Sequence, residues 1–220
     1  MAKTLILGAN GGVGRKLVQL MKENNEDFVA GVRQNEQKEA LQSDGIQAEI
    51  VDVEKQSIED LQHIFNDFDQ VIFSVGSGGS TGADKTIIVD LDGAVKAIRA
   101  SEKANIEHFV MVSTYDSRRE AFDAVPDLKP YTIAKHYVDD YLRHSSLTAT
   151  IVHPGGLTDN EGTGKVVVAE LFENPDKREI PREDVARVLY EVATDSAHRG
   201  KEFQVLTGDT DVAEALKSFK

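Results

Sequence analysis

Residues 4–14 read Thr4-Leu5-Ile6-Leu7-Gly8-Ala9-Asn10-Gly11-Gly12-Val13-Gly14, and this stretch decides the fold. Leu5, Ile6 and Leu7 form a short apolar run that ends in glycines spaced by threes, Gly8, Gly11 and Gly14. Behind them Val13, Leu17, Leu20 and Met21 recur at helical spacing. The order is strand, glycine turn, helix. It sets the bare amides of a helix N-terminus against the end of a strand, and the anion such units hold is typically a dinucleotide pyrophosphate. Gly8 lets the chain leave the strand with backbone angles closed to other residues. Gly11, or its neighbour Gly12, lets the backbone approach phosphates with no Cβ in the way, and Gly14 lets the helix pack close on the strand. Asn10 and Val13 complete the loop. The spacing is G-x-x-G-x-x-G rather than G-x-G-x-x-G, so a glycine-rich turn without a ligand stands as the competing reading of the motif alone.

The rest of the chain supplies the context that the motif needs. Apolar β-type runs fall near 3–7, 28–33, 48–52, 70–75, 107–113 and 147–152, with helical patterns near 12–24, 35–43, 57–66, 84–103 and 131–144 between them. This alternation predicts an α/β fold: a doubly wound, mostly parallel sheet of the Rossmann type with helices on both faces. Right-handed crossovers favour the strand order 3-2-1-4-5-6. After His153-Pro154-Gly155-Gly156 the regularity loosens into a small substrate-side region at about 155–181, whose Gly155, Gly156, Gly162 and Gly164 would let it move. A strand-like run at 165–169, a helix at 182–194, a strand at 202–206 and a helix at 212–219 complete the chain. Its 220 residues read as one nucleotide-binding domain.

Composition excludes several classes of function. The formal net charge of -13 argues against nucleic acid as a partner, since phosphate contacts need a basic surface. No apolar run approaches the roughly 18 residues needed to span a membrane, and the N-terminus lacks the pattern of a secretion signal. With no cysteine there is no disulfide, thiolate zinc site or cysteine nucleophile. A cytoplasmic location and a small-molecule substrate are expected, and the oligomeric state is unspecified. No metal site is expected, because the histidines show no ligand spacing.

Chemistry-bearing residues fall at strand ends. Arg33 closes the second strand, 19 positions beyond Gly14. An acid there would hold both ribose hydroxyls and favour NAD, whereas an arginine can pair with a 2′-phosphate and favours NADP over NAD; a solvated surface arginine is the alternative. Asp52, followed by Val53, ends the third strand near the expected adenine pocket, as an acceptor for the adenine amino group or as a local cap. Ser74, Val75 and Gly76 follow the fourth strand, where a small-residue turn leaves room for the second ribose. Tyr131 and Lys135 lie four apart on one helix face, in line with Val138 and Leu142. A lysine on a buried stripe asks for a reason. An ammonium beside a phenol lowers the phenol's pKa and suits it to exchange a proton at a carbonyl; Lys135 can also hold a ribose hydroxyl. The alternative is a snorkelling lysine beside a packed tyrosine. Ser113 closes the fifth strand, where its hydroxyl could orient a substrate carbonyl or cap backbone. His153 ends the sixth strand and reads as structural.

With Gly8 to Gly14, Arg33, Asp52, Val112-Ser113, Tyr131-Thr132-Ile133-Ala134-Lys135 and His153-Pro154-Gly155-Gly156-Leu157 in place, the chain resembles the short-chain dehydrogenase/reductase superfamily. It is most similar to the extended and atypical branch that includes NmrA-like and biliverdin reductase B-like proteins. The matching pieces span about the first three quarters of the chain. The resemblance implies a bound nicotinamide dinucleotide, Tyr131 as proton donor, Lys135 as its helper and Ser113 as substrate anchor, with Pro154 and Gly155 near the nicotinamide. The expected activity is NADP-dependent hydride transfer to or from a small carbonyl or conjugated substrate. A dinucleotide sensor without turnover and a sugar-nucleotide epimerase or dehydratase are the alternatives, the last needing a larger C-terminal lobe than this chain has.

Overall fold

The computed structural model describes residues 2–79 and 81–219. The first unit is β1 (Thr4–Leu7), α1 (Gly12–Glu23) and β2 (Phe28–Val32), followed by α2 (Asn35–Ser43), β3 (Ala48–Ile50), α3 (Ile58–Phe65) and β4 (Gln70–Phe73). Every residue of β1 and β4 is buried. Such strands belong in the middle of a sheet covered on both sides, which is why they read as continuous apolar runs rather than alternating ones.

The long helical pattern after β4 is not one α-helix. A single turn, α4 (Ala83–Lys85), leads into a π-helical stretch at Thr86–Gly93, and only then does α5 (Ala94–Lys103) begin. Wide π turns inside helices often occur at functional sites. β5 (His108–Val112) follows, then two short 3-10 turns, α6 (Lys129–Arg143) and β6 (Ala149–Pro154). The expected order is observed: β3-β2-β1-β4-β5-β6, all neighbours parallel.

Beyond β6 the sheet continues to nine strands. β10 (Glu202–Thr207) adds parallel to β6, and β8 (Lys165–Ala169) pairs antiparallel with both β10 and the short β11 (Thr210–Asp211). β7 (Gly156–Thr158) and β9 (Glu179–Pro181) form a separate parallel pair that leads straight into α7 (Arg182–Thr194); α8 (Val212–Ser218) closes the chain. The β7–β9 pair was not legible in the sequence, since three-residue strands of mixed polarity carry no periodicity. It also changes the reading of the glycines there. A Cβ on Gly155 would lie 2.6 Å from Arg178 O, and one on Gly162 would lie 2.6 Å from a guanidinium nitrogen of Arg187. These glycines permit close packing rather than a free hinge.

Alternate residues of the strands build two cores. Ile6, Ala30, Ile72, Val110 and Val152 point to α1, α7 and α8. Leu5, Leu7, Val71, Phe73, Phe109 and Met111 point to α3, α5 and α6. α1 and α7 run side by side in the same direction: Gly12 meets Arg182 at one end, and Tyr190 Oη donates to Glu26 at 3.1 Å towards the other. Among the described residues no helix is long and apolar enough to cross a membrane.

Candidate cofactor groove and proton-transfer site

The glycine turn has the geometry its sequence requires. Gly8 adopts φ +79°, and a Cβ there would lie 2.4 Å from Ser74 O. Gly14 is tighter still, with a Cβ position 2.2 Å from Gly8 O and 2.9 Å from Ala9 Cα. The Gly11 N–H donates to Gly8 O at 2.8 Å, and α1 starts with no side-chain cap. The first amides of α1 are thus presented uncapped at the positive end of the helix.

From this turn a groove of about 190 Å³ runs over the carboxyl ends of β1 to β4. It gathers Gly8, Asn10, Gly11, Arg33, Asp52, Val53, Ser74, Val75 and Gly76. A cradle that Cβ atoms would fill, beside an uncapped helix end, fits a dinucleotide. Gly12, Val13 and Gly14 belong to the helix start rather than the groove wall. Asn10 Oδ1 accepts from Arg15 Nε at 3.1 Å. Asp52 Oδ1 accepts from the N–H groups of Glu54 at 3.1 Å and Lys55 at 3.4 Å, so the local capping role is realised while the carboxylate still lines the groove. Sequence reasoning missed Gln37, in α2, whose buried Oε1 has no partner and which lines the same wall as Arg33. A buried acceptor without a donor asks for one from outside the chain. Its only sequence signal was its place one helical turn beyond Arg33.

Lys135 and Ser113 meet at the carboxyl end of β5, and Tyr131 lies one turn before Lys135 on α6. Lys135 is 1% exposed, and its ammonium donates to Val112 O at 2.8 Å. Burial pulls its pKa down while the carboxylates of Asp139 and Asp90 push it up. The Tyr131 phenol lies above its ordinary value, raised by burial and then by Asp90 and Asp139. This corrects the expectation that Lys135 lowers it: the ammonium is turned to a backbone carbonyl, and burial with the charges of Asp90 and Asp139 raises the phenol instead.

Two carboxylates absent from the sequence reading organise this end. Asp139, four residues beyond Lys135 and fully buried, accepts from Ser113 Oγ at 2.6 Å and Ser117 Oγ at 2.7 Å on one oxygen; its other oxygen is unpartnered. The Ser113 hydroxyl hydrogen is therefore committed to Asp139, and toward a ligand this oxygen can only accept. Asp139 was findable as a carboxylate on the apolar stripe of Val138 and Leu142. Asp90, in the π-helical stretch and 1% exposed, receives the Ser77 N–H at 3.3 Å. A Cβ on Gly76 would come within 3.4 Å of its Oδ1. Asp90 thus ties the groove's last turn to the field felt by Tyr131 and Lys135.

His153 and Pro154 end β6 with Gly155 directly after them, and none of the three lines the groove. His153 bridges Thr114 O at 2.8 Å through Nδ1 and Glu202 at 2.9 Å through Nε2. Both partners are acceptors, so the imidazolium satisfies them together; its pKa is raised despite burial, chiefly by the Glu202 hydrogen bond. Glu202, also held by Arg143, is lowered to about 2 against the cost of its own burial. Gly155 donates its N–H to Val205 O at 3.0 Å.

Residues 8–196 match the model of a family described as NAD(P)H-binding. The chain belongs to this NAD(P)H-binding family. A Bacillus subtilis (strain 168) protein named as an uncharacterized sugar epimerase, YhfK, is 42% identical over 98% of this chain and 99% of its own. A Bacillus halodurans structure, assigned by name only to the NAD-dependent epimerases/dehydratases, has a TM-score of 0.90 at 39% identity and covers 99% of both chains. The Lactococcus lactis oxidoreductase ylbE has a TM-score of 0.85 at 31% identity, covering 98% of this chain and 95% of that one. The family match and the solved structures agree with the Rossmann architecture described above.

Proposed function

We propose that this chain is an NADP-dependent oxidoreductase of the short-chain dehydrogenase/reductase type, acting on a small carbonyl or conjugated substrate. The observation that carries the reading is the link through Asp90 between the glycine-turn groove and the Tyr131–Lys135 pair. When bound, the nicotinamide supplies or accepts hydride. The uncapped amides of α1 hold the pyrophosphate, and Arg33 pairs with the 2′-phosphate. Lys135, with donors on Val112 O and, at 4.0 Å, on Met111 Sδ, would offer its third to the nicotinamide ribose. Tyr131 moves the proton at the substrate oxygen. A phenol held above its usual range carries its proton at neutral pH, available to a substrate oxygen, and is a weaker acid than a free tyrosine. Ser113 as an acceptor suits an alcohol hydroxyl; to hold a carbonyl oxygen it must first release Asp139.

Titration with NADPH and NADH, followed by cofactor fluorescence, tests this. Tight NADPH with NADH much weaker supports Arg33 as the phosphate reader and justifies screening carbonyls and quinones for turnover. Equal affinities discard that role. Binding with no turnover of any carbonyl favours the sensor reading. The epimerase names carried by two relatives of matching length support a second reading, in which a sugar nucleotide is converted with no net consumption of cofactor.

A further inference from the structure

Arg182 lies on the glycine turn, yet its contacts within the fold do not account for its position. It is the first residue of α7, and a Cβ built on Gly12 would lie 2.7 Å from its Cδ and 2.8 Å from its Nε. The side chain therefore lies across the first turn of α1, in the space left by the missing side chain of Gly12. Its guanidinium pairs with Asp159 Oδ1 at 2.9 Å and reaches Leu157 O at 3.4 Å. Asp159 is 87% exposed, so this pair is weak and easily exchanged. The other charges of this turn are committed elsewhere. Glu183 holds the N–H of Gly162, Asp184 holds those of Thr163 and Gly164, and Arg187 pairs with both acids. Arg182 is the member of this turn that faces α1. A cation beside the positive end of a helix is unfavourable by itself. An anion between the two reverses that, taking hydrogen bonds from the α1 amides on one side and from a guanidinium on the other.

We propose that Arg182 is a clamp on the cofactor's pyrophosphate, exchanging Asp159 for phosphate oxygens when the dinucleotide binds and so tying the 155–181 region to cofactor occupancy. The inference rests on the dinucleotide reading of the groove, and its monophosphate control on Arg33 as the 2′-phosphate reader; neither rests on Tyr131. The test titrates the wild type, Arg182→Gln, Arg182→Lys and Asp159→Asn with NADPH and NADH by fluorescence. Adenosine 2′-monophosphate, which lacks the pyrophosphate, is titrated by calorimetry, and a urea midpoint is taken for each variant. Arg182→Gln is expected to weaken NADPH and NADH alike by about tenfold or more. Arg182→Lys should weaken them less, because a point charge replaces a fork, and Asp159→Asn should tighten both. The monophosphate affinity and the urea midpoints should stay unchanged. Unaltered dinucleotide affinities in Arg182→Gln, or an equal loss for the monophosphate, would overturn the clamp while leaving the groove intact. A wild type that binds neither dinucleotide would overturn the cofactor reading and the clamp with it.

Discussion

At the glycine turn the site is made by missing side chains, whereas around Tyr131 it is made by polar groups crowded into a dry interior. The first end is backbone against backbone: Gly8 on Ser74 O, Gly14 on Gly8 O and Ala9 Cα. Backbone cannot move aside as a side chain can, so Gly8 and Gly14 tolerate no added atom. The second end is side chain against side chain: Lys135 on Val112 O, Ser113 and Ser117 on Asp139, Ser77 on Asp90. Groups there share partners, and the loss of one is partly absorbed by the rest. The contrast predicts all-or-none behaviour at one end and graded behaviour at the other.

Gly14→Val should produce the largest effect. Its Cβ would sit at an impossible distance from fixed backbone, so α1 must lift from β1, costing more than about 3 kcal/mol in urea unfolding and abolishing cofactor binding. A mild effect would mean that the turn is softer than its contacts imply. Tyr131→Phe comes next: turnover should fall roughly 100-fold or more with the cofactor Kd nearly unchanged. Unchanged turnover would remove Tyr131 from the chemistry. Asp139→Ala should cost about 2 kcal/mol in urea unfolding by leaving two buried hydroxyls without an acceptor, and Asp139→Asn, which keeps an acceptor, should cost less. Equal costs would mean that the charge, not the acceptor, matters. Smaller again is Arg33→Gln, expected to weaken NADPH about tenfold and NADH hardly at all.

The smallest effect separates the two ends by pH. His153 pins Thr114, the residue after Ser113, and pairs with Glu202. The folded pKa of His153 is raised, so its contribution to stability is complete below 6.5 and is lost as pH rises through the folded value. That of Glu202 is lowered from 4.5 to about 2, so its contribution is complete above 4.5 and is lost as pH falls through that lower value. Melting temperature should therefore carry a shallow plateau between about pH 4.5 and 6.5; His153→Gln should remove its upper edge and leave the fall at low pH, which Glu202 and Arg143 set. An upper edge surviving in that variant would assign it to other groups.

How far the sequence could be read follows the same division. The βα turn, the place of Arg33 on the groove wall and the six-strand order were legible because each is local or follows from crossover handedness. The helix at 182–194 was bounded correctly because its apolar face is regular. Asp90 looked like any of the chain's acids: its burial depends on a π-helical stretch packing against α6, and no short window encodes that packing. Arg182 looked like a helix-start arginine until the α1–α7 pairing laid it over Gly12, 170 residues away in the chain.

The sequence by itself determined where the backbone can turn, which strands are buried on both faces and which helix carries Tyr131 and Lys135 four residues apart, because these depend on residue shape and spacing along the chain. Only the tertiary structure decided the pKa directions and partners at the site: the raised Tyr131 phenol, the Ser113 hydrogen given to Asp139, the unpartnered Gln37 oxygen. Electrostatic energies depend on distance through space and on the exclusion of water, and both are set when distant segments pack.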